Sequence, residues 1–126
     1  MSVLVDTSVW VEYLRGSSCA EEVDFLLDEG LLVTNELILA ELLPALMSRG
    51  EDELVALLRQ TATCPLQIDW DGIVGMQVAC LKAGINRVGI PDLIIAQSAI
   101  RSGLRLYSVD KHFRLMIQVL PLDLFE

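Results

Sequence analysis

The chain has one histidine in 126 residues, and its three cysteines, Cys19, Cys64 and Cys80, show no CxxC spacing. Zinc sites draw on closely spaced Cys and His ligands, so the pattern argues against one. An odd set of thiols without a disulfide framework reads as reduced, mostly buried cysteines of a cytosolic protein. Basic residues are also scarce: nine Lys and Arg stand against eighteen Asp and Glu, a net charge of −9. The shortage is local. Residues 1–63 hold only Arg15, Arg49 and Arg59 against twelve acids, whereas residues 64–126 balance six against six. A broad cationic face for sequence-independent nucleic-acid binding is therefore absent. A phosphate-bearing substrate would depend on a metal ion and a few local cations, and the acidic half suits a basic partner protein. Long apolar runs are missing too. The longest, Leu37 to Met47, is cut by Glu41 and Pro44 and falls short of the roughly 20 residues a membrane-spanning helix needs. With no basic segment before an apolar core, and a carboxylate as early as Asp6, no signal peptide is expected.

What is abundant is apolar residue content: 53% hydrophobic, with a mean hydropathy of +0.51. That surplus points to strongly buried helices or an apolar contact surface for a partner. The length fits one domain spanning 1–126. Strand-like runs at Ser2–Val5, Leu31–Val33 and Leu104–Val109, with short candidates at Pro65–Ile68 and Leu122–Phe125, alternate with helical spacings. Helices are expected after Thr7 or Ser8 as cap, ended by Gly16-Ser17-Ser18, and over Ala20 to Gly30. Others are expected from Asn35 to Ser48, Glu51 to Gln60, Asp71 (as cap) to Ala83, Pro91 to Ser102 and Lys111 to about Val119. The Asn35–Ser48 helix, apolar nearly all round, reads as central, with a bend at Pro44. In the Glu51–Gln60 helix, Leu54, Val55, Leu57 and Leu58 read as inward. The alternation predicts an α/β/α three-layer sandwich on a mainly parallel sheet. Ligands in such folds bind beyond the carboxyl ends of the strands.

Four acids stand in apolar sequence surroundings at widely spaced points. Asp6 ends Val3-Leu4-Val5, Glu41 interrupts Leu37 to Leu43, Asp92 opens Leu93-Ile94-Ile95-Ala96, and Asp110 follows Leu104 to Val109. A buried unpaired carboxylate costs several kcal/mol. Four together make sense around a cation, and an all-oxygen donor set points to Mg²⁺ or Mn²⁺. Each has a plain structural reading as well. Asp6 and Asp110 suit helix caps, and Asp92 suits the first turn of a helix. Glu41 is the hardest to explain that way, having no basic residue within a turn. Ser108, Thr7 and Ser8 can orient carboxylates or water. Arg87 and Lys111 are the cations best placed to meet a phosphate. His112 reads as a surface or helix-start residue, and Glu36 as a cap or dipole residue. The remaining acids, among them Glu21, Glu22, Asp24, Asp28, Glu29, Glu51, Asp52 and Glu53, read as solvated helix faces.

The segments Val3-Leu4-Val5-Asp6-Thr7-Ser8-Val9-Trp10, Ala40-Glu41-Leu42, Pro91-Asp92-Leu93-Ile94-Ile95-Ala96 and Leu106-Tyr107-Ser108-Val109-Asp110-Lys111-His112-Phe113 together resemble the PIN domain, in its VapC toxin branch. The resemblance places the family's metal-site acids on Asp6, Glu41, Asp92 and Asp110, and its hydroxyl residues on Thr7 or Ser8 and on Ser108. Three positions depart from it: His112 stands where another acid is common, Val109 where a polar residue is frequent, and Pro44 is unusual beside the glutamate. The resemblance implies a Mg²⁺- or Mn²⁺-dependent endoribonuclease of α/β/α fold. It also implies a homodimer with an RNA substrate; the cysteine reading places the chain in the cytoplasm. A cognate VapB-like antitoxin would place a basic side chain near the acids. Hydrolysis would leave a 5′-phosphate and a 3′-hydroxyl. The competing readings are a non-catalytic acidic interaction domain, whose acids are caps, and a receiver-like phosphoacceptor. A receiver wants paired acids after the first strand, and residues 7 and 8 are Thr and Ser. A haloacid-dehalogenase-like phosphatase wants an Asp where Ser8 stands.

Overall fold

Val3, Leu4 and Val5 are completely buried and form the first strand, β1 (Val3–Val5), as expected of an apolar run covered on both faces. The computed structural model describes residues 1–16 and 18–126. Along the chain follow α1 (Thr7–Leu14), α2 (Ala20–Asp28), β2 (Leu32–Thr34), α3 (Glu36–Ser48), α4 (Asp52–Gln60) and β3 (Ala62–Thr63). Then come α5 (Trp70–Lys82), α6 (Ile90–Arg101), β4 (Arg105–Tyr107) and α7 (Lys111–Met116). The four strands form one parallel sheet in the order β3-β2-β1-β4, flanked by helices. Register pairs Val3 with Leu32 on one side and Leu4 with Leu106 on the other. The chain thus steps outward from β1 to β2 and β3, then crosses to the opposite side of β1 as β4. That reversal opens a crevice at the carboxyl ends of β1 and β4, where parallel α/β sheets hold their ligands.

Several boundaries differ from the sequence reading. The third strand lies at Ala62–Thr63, not Pro65–Ile68; the ladder closes where the Cys64 N–H donates to the Thr34 carbonyl at 2.9 Å, and Pro65 has no N–H to extend it. Leu122–Phe125 reaches the sheet only as a bridge between Leu106 and Leu124. β4 stops at Tyr107, so Ser108 and Asp110 lie beyond the strand. Asp6, not Thr7 or Ser8, caps α1, and Asp69, not Asp71, caps α5 by accepting from the Gly72 N–H at 3.1 Å. Gly72 leaves room for this cap: an added Cβ would sit 2.8 Å from both the Asp69 carboxylate and the Gln97 amide, so those side chains would have to shift. α7 stops at Met116 rather than near Val119. Of the Gly16-Ser17-Ser18 stop, Gly16 has the left-handed φ of +69° that ends a helix, and Ser17 lies outside the described residues.

The central helix is α6. Residues Leu93 to Ala99 are buried without a break, including the polar Gln97 and Ser98. α3, expected in that place, buries one stripe (Ile38, Leu42 and Leu46) and exposes Ala40, Glu41, Pro44, Ala45 and Met47. Leucine and alanine density does not set burial; the i, i+4 stripe does. Leu57 of α4 likewise faces outward, with Leu58 buried and Leu54 and Val55 half-buried. The polar residues in α6 are tied down. Gln97 exchanges hydrogen bonds with the Asp69 backbone at 3.1 and 2.9 Å, and Ser98 meets the Asn35 amide at 3.4 Å and the Cys64 thiol at 3.3 Å. Asn35 is the buried cap of α3, accepting from the Ile38 N–H at 2.9 Å. These contacts fix α6, which carries Asp92, against α3, which carries Glu41. The three cysteines are buried and free, as read from the sequence. No helix among the described residues is long and apolar enough to cross a membrane.

Candidate active site

Asp6 follows β1 directly, and its N–H donates to the Tyr107 carbonyl of β4 at 2.9 Å. The β1–β4 pairing therefore continues to the residue that carries the carboxylate. The side chain is 5% exposed. One oxygen, Oδ2, accepts from the Ser8 hydroxyl at 2.7 Å, the Ser108 hydroxyl at 2.8 Å and the Ser8 N–H at 3.4 Å. Among the described residues no hydrogen bond falls on Oδ1. Asp6 is thus a cap, as its plain structural reading proposed, and the capping and hydroxyl contacts occupy only one of its two oxygens.

Asp110 repeats the arrangement on the other strand. It caps α7 through Oδ1, which accepts the His112 N–H at 2.9 Å and lies 2.9 Å from His112 Nδ1. Its own N–H donates to Ser108 Oγ at 3.0 Å. Ser108 is therefore linked to both acids through hydrogen bonds made after the strand has ended, not through side chains sharing a strand face. The Ser8 and Ser108 hydroxyls are 3.1 Å apart, and the Val109 N–H donates to Ser8 Oγ at 3.2 Å. Glu41 enters from α3 and accepts the Thr7 hydroxyl at 2.9 Å. It is exposed, contrary to the expectation of an apolar face. Its lack of a basic partner is a feature of the rim rather than of a buried helix.

Asp92 completes the group from the first turn of α6. Burial first, then the charges of Asp110 and Asp6, push its carboxyl up to about 6; Glu41 adds to the rise and His112 opposes it. All three other acids act on Asp92, so each lies within Coulombic range of it; the tighter group whose ligand atoms lie within 4.8 Å of one another comprises Asp92, Asp110 and His112 and does not take in Asp6 or Glu41. No lysine or arginine among the described residues forms an ion pair with any of the four. Capping explains one oxygen each on Asp6 and Asp110. It leaves the repulsion at Asp92 without a purpose. Excess negative charge, hard oxygen donors and free carboxylate oxygens fit a divalent cation.

Two features escaped the sequence reading. His112 is not simply a surface residue: one oxygen each of Asp92 and Asp110 and one ring nitrogen of His112 lie within 4.8 Å of one another. A cleft of about 190 Å³ runs from Glu41 between α1 and α3, lined at its far end by Arg15 and Arg49. Arg15 falls eight residues after Thr7, and Arg49 eight after Glu41. That helical spacing was the available signal. Arg15 also pairs with Glu12 at 3.3 Å. Arg87 is exposed, with a φ of +66° in the loop before α6; Lys111 is exposed beside Asp110; Glu36 is exposed at the start of α3, which Asn35 caps.

A family model described as the PIN domain matches residues 3–116. Ribonuclease VapC11 of Mycobacterium tuberculosis is 34% identical over 128 residues, covering 96% of each chain. Among solved structures, VapBC2 from Rickettsia felis, bound to a DNA fragment from its promoter, superposes with a TM-score of 0.77 at 16% identity, covering 99% of this chain and 98% of that one. FitAcB from Neisseria gonorrhoeae gives 0.69 at 20% identity, covering 98% and 96%. These two likenesses carry the fold, while the 34% relative carries the branch within it. The chain belongs to the PIN-domain family, among the VapC ribonucleases.

Proposed function

We propose that the chain, acting as one domain, is a divalent-cation-dependent endoribonuclease and the toxin of a type II toxin–antitoxin pair. The observation that carries this reading is the placing of Asp6 and Asp110 just beyond β1 and β4, linked through Ser8 and Ser108, with Asp92 partly buried beside them and no lysine or arginine paired with any of these acids among the described residues. Asp6, Glu41 and Asp92 would hold the ion, Mg²⁺ or Mn²⁺, directly or through waters, and Asp110 would help complete the site. Ser8 and Ser108 fix Asp6, and Thr7 fixes Glu41. A divalent cation bound there supplies a water of lowered pKa and neutralises charge at the phosphate. With the ion bound, the carboxylates would hold it beside the RNA phosphodiester, and hydrolysis there would leave a 5′-phosphate and a 3′-hydroxyl. Arg87 and Lys111 meet the phosphate oxygens of the incoming strand. His112 is not needed as a general base.

The partners follow from two surfaces. The acidic rim and the cleft leading from Glu41 suit an antitoxin segment that lays apolar residues against Val11, Leu14 and Ala45 and brings a basic side chain to the acids. On α5, Trp70, Val74, Val78 and Leu81 are 59%, 63%, 43% and 57% exposed and lie along one helical stripe. A second copy of the chain would cover them. The free cysteines agree with the reducing cytoplasm.

The test is cleavage of RNA with Mg²⁺ by Asp6→Asn and Asp92→Asn. Each is expected to lose activity by about a hundredfold or more, since the bound ion contributes several kcal/mol to the transition state. Wild-type activity in either variant removes the reading.

A further inference from the structure

We propose that His112 is a nitrogen ligand of the divalent ion and gives this site a preference for Mn²⁺ over Mg²⁺. The inference rests on the metal-dependent nuclease reading and adds to it a residue that the acidic quartet does not contain.

The argument is geometric. His112 Nδ1 stands 2.9 Å from Asp110 Oδ1. Two neighbouring ligands of an octahedral ion, each about 2.1 Å from it, are about 3.0 Å apart. The observed separation has the length of one edge of a coordination shell and is also that of the hydrogen bond now joining the two atoms, whose proton a bound ion would displace. A ring nitrogen of His112 and one oxygen each of Asp92 and Asp110 fall within 4.8 Å of one another, so a small closing movement lets the three share one ion. The histidine is also held in place. Its N–H donates to the same Asp110 oxygen, and the following residue, Phe113, is 1% exposed and anchors α7 in the core. With its side chain 26% exposed, the ring is neither free in solvent nor sealed away from an entering ion.

Donor chemistry then decides the preference. Mg²⁺ favours oxygen ligands and gives up its waters reluctantly, whereas Mn²⁺, although also at home among oxygens, stands at the start of the transition series and tolerates one imidazole nitrogen better than Mg²⁺ does. Replacing one carboxylate by a neutral imidazole also leaves less negative charge to bind Mg²⁺. An imidazole among acids therefore moves the site toward Mn²⁺.

The chain has one histidine, so an imidazole signal has only one source when an untagged protein is used. Wild type, His112→Ala and His112→Asp, each checked for folding by circular dichroism, are loaded with less than one equivalent of Mn²⁺ and measured by pulsed electron paramagnetic resonance. Imidazole nitrogen coupling to the manganese is expected in wild type and in neither variant. In competition titrations the ratio of Mg²⁺ to Mn²⁺ dissociation constants is expected to fall about tenfold in both variants, the order of effect seen when metal-site residues are changed. Manganese bound to wild type without nitrogen coupling, coupling that persists in His112→Ala, or an unchanged ratio each overturns the proposal. If any of these occurs while Asp92→Asn loses both Mn²⁺ binding and cleavage, the nuclease reading stands and only the histidine ligand falls. If wild type binds no Mn²⁺ and Asp92→Asn still cleaves RNA, both fall.

Discussion

Two acidic regions of this molecule are built from the same side chains and behave differently. On the outer helices, Glu21, Glu22, Asp24, Asp28 and Glu29 of the α2 segment and Glu51, Asp52 and Glu53 at the start of α4 are exposed. Water screens them, and single pairs there contribute little, as with the Tyr13 hydroxyl that meets Asp24 at 2.8 Å. On the rim between β1 and β4, only four acids gather, yet Asp92 is held up to about 6. Counting carboxylates would direct attention to the first region. What singles out the second is approach from four separate elements, the burial of Asp6 and partial burial of Asp92 and Asp110, and the closeness of Asp92, Asp110 and His112.

The contrast can be broken experimentally, and the largest effect is on cleavage. Asp6→Asn and Asp92→Asn should lose about a hundredfold or more, while Glu21→Gln and Glu53→Gln stay within about twofold of wild type; equal losses in both regions would erase the distinction. Next comes metal-linked stability. Mn²⁺ at about 100 times its dissociation constant should stabilise wild type and Glu53→Gln by about 2.7 kcal/mol, seen as a rise in Tm that Asp92→Asn lacks. Ser108→Ala follows, because it removes one of the hydroxyls holding Asp6. A loss of about tenfold in Mn²⁺ affinity is expected, with the fold intact by circular dichroism.

A pH series on metal-free protein sharpens the comparison further. The Asp92 carboxyl is raised above its unfolded value, so the folded state binds this proton more tightly. Its contribution to stability is present at acid pH and is lost as pH rises through about 6. Denaturant midpoints of the metal-free wild type should include a decline between about pH 4 and pH 7 that is missing in Asp92→Asn, and at pH 7.5 the variant should be the more stable of the two. Glu53→Gln should follow the wild-type curve. The smallest effect belongs to Arg87→Gly. Relief of the positive φ should raise stability by roughly 0.5–1 kcal/mol while cleavage falls through loss of the phosphate contact.

The parallel sheet was legible in the sequence because Val3-Leu4-Val5 and Leu31–Val33 are short, fully apolar runs between helical spacings, which is what strands covered on both faces require. The positions of Asp6 and Asp110 followed from the same logic, since an acid just after such a strand falls at its carboxyl end. Less legible was anything decided by tertiary packing. Leucine content made α3 look central, but only the 38, 42, 46 stripe faces inward, while α6 hides its centrality behind Gln97 and Ser98, whose hydrogen bonds let polar groups be buried. Glu41 drew attention through a burial it does not have. His112 does stand at a helix start, as read, but its closeness to Asp110 and Asp92 depends on how α6 and α7 pack, which sequence spacing alone does not reveal.

The central claim concerns one divalent ion shared by four distant carboxylates, and diffraction tests it most directly. Crystals soaked in millimolar Mn²⁺ and measured near the manganese absorption edge should show a strong anomalous peak between Asp6, Glu41, Asp92 and Asp110. A map with no peak there, or with its strongest peak among Glu51, Asp52 and Glu53, would contradict the account.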